Sequence, residues 1–128
     1  MNLLDKPTIS GTTVVAKLGG SVLQKEELLN SFVEDVQMLA KSGVSIAIVH
    51  GGGPAINEKL ASLSKAPLKV QGLRVTDAET LAIVDEVISS INDLIVEKIS
   101  AAGLPADGYK PSSNAMFVAE KLYLKGIE

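Results

Sequence analysis

The residues best suited to chemistry lie in three short clusters. Lys17-Leu18-Gly19-Gly20 places an ammonium two residues before a glycine pair. His50-Gly51-Gly52-Gly53-Pro54 puts three glycines between a histidine and a proline. Gly72-Leu73-Arg74-Val75-Thr76-Asp77-Ala78-Glu79-Thr80 carries the only arginine of the chain. Glycines between a strand and a helix leave backbone N–H groups open, and a helix N-terminus adds positive potential, so such turns cradle anions. A lysine at the mouth of a cradle offsets charge developing on a phosphoryl group in transfer. An arginine offers a forked contact to a carboxylate.

Each residue also has a plainer reading. The glycines could be tight turns alone, Lys17 a solvent-facing lysine at a strand end, and Arg74 a surface arginine paired with Asp77 or Glu79. His50 reads more readily as a packed strand-end histidine than as a catalyst, and Asn57 and Glu58 as ordinary helix residues. The acidic positions near 77–86 read as a helix N-terminus satisfying its dipole. Two nucleotide motifs are absent. No G-x-x-x-x-G-K-[ST] occurs, and Gly51-x-Gly53 is followed by Ile56 where the dinucleotide fingerprint needs a small residue.

These clusters need elements to hold them. Thr13–Leu18 is rich in β-branched residues and reads as a strand stopped by Gly19-Gly20. A helix is expected over 24–42, with Leu28, Phe32, Val36 and Leu39 as its apolar stripe and Gly43 as its terminator. Val44–His50 is apolar almost throughout, as in a parallel strand covered on both faces. Pro54 suits a helix's first turn, and a helix is expected from there to Leu63.

Leu68–Val75 reads as a ribbon around Gly72. Thr76 with Glu79 forms a capping-box pattern opening the longest helix, to about Ala102. Its stripe is Leu81, Val84, Ile88, Ile91 and Ile95, widened by Ile83, Val87, Leu94 and Ile99. A helix apolar on more than one side is central or part of a subunit interface. Residues 106–124 are expected to add one or two strands around a Gly108–Asn114 turn, and residues 1–11 form a loose lead-in. Strand, helix, strand, helix is the βαβ pattern, so the fold class is α/β, a three-layer αβα sandwich with a mainly parallel central sheet.

Composition bounds the function. The 128 residues form a single domain, with 46% hydrophobic and 21% charged residues, so a packed core is affordable. A net charge of -3 and 3% aromatics argue against nucleic acid. With no cysteine and one histidine, thiolate chemistry and a Cys- or His-clustered metal site are excluded. No signal peptide or spanning segment is visible, which points to a cytoplasmic protein.

Together the three clusters resemble the amino acid kinase family, and within it the acetylglutamate kinases, over about residues 12–124. The lysine-glycine motif is shared widely. His-Gly-Gly-Gly-Pro followed about twenty residues later by Gly-Leu-Arg-Val-Thr-Asp is far more specific. The resemblance implies transfer of the γ-phosphoryl of MgATP to the side-chain carboxylate of N-acetyl-L-glutamate, in arginine biosynthesis. It implies that Lys17 stabilises the phosphoryl group and that Gly19, Gly20 and Gly51 contact phosphate. Gly52 and Gly53 would hold substrate and phosphoryl, and Arg74 would grip a substrate carboxylate. It also implies that the helix over 77–102 contributes to a dimer.

Members of the family usually run to about twice this length. The remaining half carries most of the nucleotide pocket, a substrate-binding asparagine, a metal-organising aspartate and a second catalytic lysine. At 110–111, Lys-Pro stands where acetylglutamate kinases typically have Ser-Gly. The chain is thus expected to be a truncated amino acid kinase fold that supplies the acyl-amino-acid-binding half. Alone it should be inactive or very weak, and it should pair with itself or with a complementary kinase half. The alternative is a non-catalytic ligand-sensing or partner-binding module that kept the pocket; a further reading is a structural remnant. An acylated relative of glutamate such as an acylated aminoadipate is an open alternative as substrate.

Overall fold

The computed structural model describes residues 9–110 together with 118 and 120. Two parallel strands, β1 (Thr13–Leu18) and β2 (Ser45–His50), form the sheet, with Leu18 opposite His50 at the end of the ladder. The register brings the exits of both strands, and therefore both glycine clusters, to one edge. A short helix α1 (Gly20–Leu23) and a long one, α2 (Glu26–Lys41), lie between the strands. The single helix expected over 24–42 thus begins two residues later, and a separate turn of helix follows Gly19 directly.

Gly43 adopts φ +80° after α2, and Gly43 N and Val44 N donate to Ala40 O and Leu39 O, which closes the helix as expected. The expected apolar stripe holds at Val36, which is buried, and at Phe32, which packs against the core, but it is centred on Leu29 and Val33 rather than on Leu28. Leu29, Val33 and Val36 are buried, and Leu28 is exposed.

After β2 come α3 (Gly53–Ser62), a ribbon of β3 (Lys69–Val70) and β4 (Leu73–Arg74), and α4 (Ala78–Ala101). The ribbon turns through Gln71 and Gly72, both at positive φ, as a type I′ turn requires. The N-cap of α4 is Asp77 rather than Thr76: its carboxylate accepts from Thr80 N at 2.7 Å. A carboxylate there satisfies an orphan donor and meets the positive end of the helix, a contact Thr76 would make without charge.

Helix α4 ties the fold together. Ile95 and Ile99 pack with Leu18, Leu29 and Val33 in one core cluster, and Ile83 packs with Ile56 and Leu60 of α3 in another. The row Ile83, Val87, Ile91, Ile95, Ile99 advances four residues at a time. At 3.6 residues per turn each step drifts about 40°, so the row rotates ~160° from end to end. One end of α4 therefore faces α3 and the other faces α2. That explains apolar residues on more than one side without a subunit contact, while Leu81 stays 58% exposed. The anchors Leu29 and Leu60 are the largest fully buried side chains, each worth about 1.5–3 kcal/mol of burial.

The architecture is α/β with a parallel pair, as expected. The cover on β2 differs from expectation. Leu18 and Ile48 face the helices, but Val15 (69% exposed) and Val49 (55%) on the other face are bare. Among the described residues no layer covers that side. Within the expected lead-in, Ile9–Thr12 makes a bonded turn, with Gly11 N donating to Gly43 O at 2.8 Å. Residues 104–110 are irregular rather than extended in a ladder, and most of the strand region expected over 106–124 lies outside the described residues.

Candidate functional site

The two glycine turns touch. Gly20 lies against the ring of Pro54 so closely that a Cβ there would fall 2.8 Å from Pro54 Cγ and Cδ. The contact places the start of α1 beside the start of α3. Gln24 Nε2 reaching Glu58 Oε1 at 3.5 Å ties α1 to α3. Gly19 is the N-cap of α1 and Gly52 that of α3, where Ile56 N donates to Gly52 O at 2.9 Å. The N–H groups of Gly20, Ser21, Gly52, Gly53 and Ala55 meet no acceptor among the described residues. Open donors at a helix N-terminus favour an anion.

Gly52 has a second requirement. It is buried under α4, and a Cβ there would lie 2.7 Å from Ile88 Cδ1 and 3.0 Å from Ile91 Cδ1. Gly51 and Gly53 have open space beside them. The triple glycine is therefore not uniform: one member lets α4 close on the turn, and its neighbours leave room on the outer side.

Lys17 is exposed, beside Val49 in the register and on the bare face of the sheet. No ion pair engages it among the described residues. Arg74 is half-buried on β4. Its Nη2 donates to Asn57 Oδ1 at 2.6 Å, and its Nη1 is buried with no acceptor among the described residues. The partners proposed for a surface arginine are engaged elsewhere: Asp77 caps α4, and Glu79 pairs with Lys65. Asn57, which the sequence marks only as a helix residue, thus anchors the arginine one helical turn from Gly53. A cavity of about 230 Å³ is bounded by Arg74, Lys65 and Asp77.

His50 is packed at the end of β2, in keeping with its non-catalytic reading. Its Nδ1 lies 3.3 Å from Gly51 O and its Nε2 3.4 Å from Asn92 Nδ2. Asn92 has no place in the sequence reading. The signal was available: it interrupts the apolar row Val84, Ile88, Val96 of α4 with an amide. His50 and Asn92 also border a mainly apolar cavity of about 780 Å³ beside the edge of β2 that no strand pairs among the described residues. This larger cavity is lined by none of the glycines, nor by Lys17 or Arg74.

Asp77 is the group whose ionisation departs clearly from ordinary. The bonds from Thr80, backbone first and side chain second, hold its carboxyl below the usual 3.8, with a small contribution from Lys65 against slight desolvation. Among the described residues no three His, Cys, Asp or Glu side chains come together as a metal site. None of the described helices is long and apolar enough to cross a membrane.

The sequence pattern of the amino acid kinase family matches residues 12–124. The chain belongs to the amino acid kinase family. Among relatives, it is 44% identical over 120 residues to the acetylglutamate kinase of Alcanivorax borkumensis, covering 93% of this chain and 40% of that protein. With the acetylglutamate kinase of Nitrosospira multiformis it shares 39% over 118 residues, covering 92% and 40%. The chain therefore spans about two-fifths of the length of these kinases.

Solved structures agree on the fold. The N-acetylglutamate synthase of Neisseria gonorrhoeae, complexed with coenzyme A and N-acetyl-glutamate, superposes with a TM-score of 0.65 at 25% identity, over 76% of this chain and 23% of that one. The smu.665 protein of Streptococcus mutans gives 0.62 at 29% identity, over 73% and 37%. In this amino acid kinase chain the glycine turns and the arginine ribbon both fall within the matched residues 12–124.

Proposed function

We propose that this chain is the acyl-amino-acid-binding part of an acetylglutamate-kinase-like protein of arginine biosynthesis, acting in the cytoplasm. The observation that carries the reading is the Gly20–Pro54 contact, which joins both sets of open N–H donors at the sheet edge, where Lys17 stands next to the last position of β1. In this reading Arg74, held by Asn57, takes a carboxylate of N-acetyl-L-glutamate through its free Nη1. Gly51, Gly52 and Gly53 hold the side-chain carboxylate and the arriving phosphoryl group. Gly19 and Gly20 approach the phosphates, and Lys17 balances their charge.

ATP, when bound, supplies the γ-phosphoryl group. The donor set at the glycine turns fits its phosphates. Among the described residues no three His, Cys, Asp or Glu side chains gather to hold a metal ion by themselves. Positioning alone does not complete phosphoryl transfer. The chain by itself should therefore bind substrate and turn over ATP weakly or not at all, and a second copy or a complementary kinase part completes the site.

A second reading is a ligand-sensing module without catalysis; the likeness to a protein named as a synthase shows that this fold is not confined to kinases. Calorimetric titration with N-acetyl-L-glutamate tests the substrate site: saturable binding lost in Arg74→Ala supports it, and absent binding to folded chain overturns it. Acetylglutamate-dependent ATP turnover by the purified chain would overturn the claim that it is incomplete. Ligand binding unchanged by Lys17→Ala and indifferent to ATP, even with a complementary part present, would favour the sensor.

A further inference from the structure

Asn92 is a polar interruption of an apolar helix row, and its Oδ1 is buried without a hydrogen-bond partner among the described residues. A buried amide with an unmet acceptor is costly, so its other end should be serving a purpose. That end, Nδ2, reaches Tyr109 O at 3.5 Å and His50 Nε2 at 3.4 Å. A carbonyl oxygen can only accept, so the Tyr109 contact fixes the amide with its NH2 toward the histidine. His50 Nε2 must then accept, and the ring proton must sit on Nδ1. On the far side of the ring, Nδ1 faces Gly51 O at 3.3 Å, another group that can only accept. Two independent carbonyls therefore demand the same neutral Nδ1–H tautomer.

The consequence passes into the glycine turn. In a trans peptide the C=O of one residue and the N–H of the next point in opposite directions. Holding Gly51 O toward His50 turns the Gly52 N–H away from it, and that N–H has no acceptor among the described residues. We infer that Asn92 is a positioning residue: through the tautomer of His50 it fixes the direction in which the Gly51–Gly52 peptide presents its N–H. This assigns His50 a role as a strut with both nitrogens engaged, rather than as a proton carrier. The inference rests on reading Gly51–Gly53 as an anion-holding turn, for which the Gly52 N–H is a donor.

Gly108 fits the same arrangement. A Cβ there would run into Asn92 Oδ1 and lie 3.0 Å from Val96 Cγ2, so the segment beside Tyr109 approaches the amide at its closest where there is no side chain.

The chain has one histidine, so its imidazole nitrogens can be read without ambiguity by 15N NMR on the intact labelled protein. The result expected for the neutral ring is the Nδ1–H tautomer, although a free imidazole in water favours Nε2–H. In Asn92→Asp the carboxylate can only accept, so Nε2 should become protonated and the Gly52 amide resonance should move. Gly108→Ala, which displaces the Asn92 amide without changing its chemistry, should also weaken the Nδ1–H preference. A wild-type ring in the Nε2–H form overturns the inference. So does an Asn92→Asp variant whose tautomer or whose Gly52 amide is unchanged. Titration with inorganic phosphate separates the underlying reading: if the Gly52 and Gly53 amides of wild type do not respond, the anion-holding turn is wrong even where the tautomer switches as stated.

Discussion

Arg74 Nη2 donates to Asn57 Oδ1 at 2.6 Å, so the ribbon's one arginine is fastened to the helix that begins in the triple glycine. A guanidinium held by one nitrogen and left without a partner at another has a donor to spare for a carboxylate in a fixed direction. Arg74→Ala should weaken N-acetyl-L-glutamate binding about 10- to 100-fold, the loss of one charge-assisted contact. Asn57→Ala, which leaves the charge but frees its direction, should cost roughly three- to tenfold. Calorimetry on both variants checks the order; equal affinity in Arg74→Ala and wild type would remove the arginine from the site.

The glycines at 52 and 53 should fail in different ways. An added methyl at Gly52 meets Ile88 and Ile91 of α4, whereas at Gly53 it meets nothing within 4 Å. Gly52→Ala should therefore lower stability by about 1–3 kcal/mol through overpacking. Gly53→Ala should stay within ~0.5 kcal/mol of wild type yet obstruct the space a bound anion would fill. Urea unfolding midpoints and phosphate titration of the two variants test this split, and a Gly53→Ala protein that binds as well as wild type would argue against the cradle.

The sequence carried the element order because each boundary has a local cause. Gly43 closes α2 and Gly72 turns the ribbon by backbone requirements at positive φ, and Gly19-Gly20 marks the exit of β1; only Gln71, which shares the ribbon turn at positive φ, gave no such signal. The centre of the α2 stripe was only partly legible: Phe32 and Val36 were placed inward, Leu29 and Val33 were not. Leu28-Leu29 and Phe32-Val33 are adjacent apolar pairs, so more than one stripe fits the spacing, and only packing on α1, α4 and β1 selects Leu29 and Val33. The bare face of β2 was hidden for the same reason: an apolar strand shows that cover is wanted, not that the described residues provide it.

The site divides similarly. Lys17, the glycines and Arg74 stand in motifs and could be named. Asn57 and Asn92 act through contacts 17 and 42 residues away in sequence, with Arg74 and His50, and no local pattern announces such partners.

Lys17 should separate chemistry from folding. It is exposed on the open sheet face without an ion pair among the described residues, so Lys17→Ala should change stability by no more than ~0.5 kcal/mol. Affinity for N-acetyl-L-glutamate should hold within about twofold, since Arg74 and the glycine turns carry it. Phosphoryl transfer in an assembly that contains the complementary part should fall by about 10²–10³-fold, the scale of one lost charge-stabilising donor. Stopped or quenched-flow turnover beside calorimetry makes the comparison; a Lys17→Ala assembly with undiminished transfer would leave the lysine without its proposed role.

Acid should weaken the start of α4 through one identifiable group. Asp77 accepts from Thr80 N, and its folded-state carboxyl is held below 3.8. The unfolded chain therefore binds more protons in the window around and below 3.8, and stability there rises with pH. The contribution is fully present above that value and is lost as pH falls through the lower folded-state value. Asp77→Ala should accordingly melt below wild type at neutral pH, with the gap closing as the pH drops under 3.8. Asp77→Asn keeps an acceptor oxygen at the cap but cannot titrate, so it should restore much of the neutral-pH stability lost in Asp77→Ala and lack this acid dependence. Thermal melts of the three proteins from pH 7 to about pH 3 follow the linkage directly. A gap between wild type and Asp77→Ala that stays constant over that range would mean that the cap acts through its oxygen alone and that its charge is immaterial.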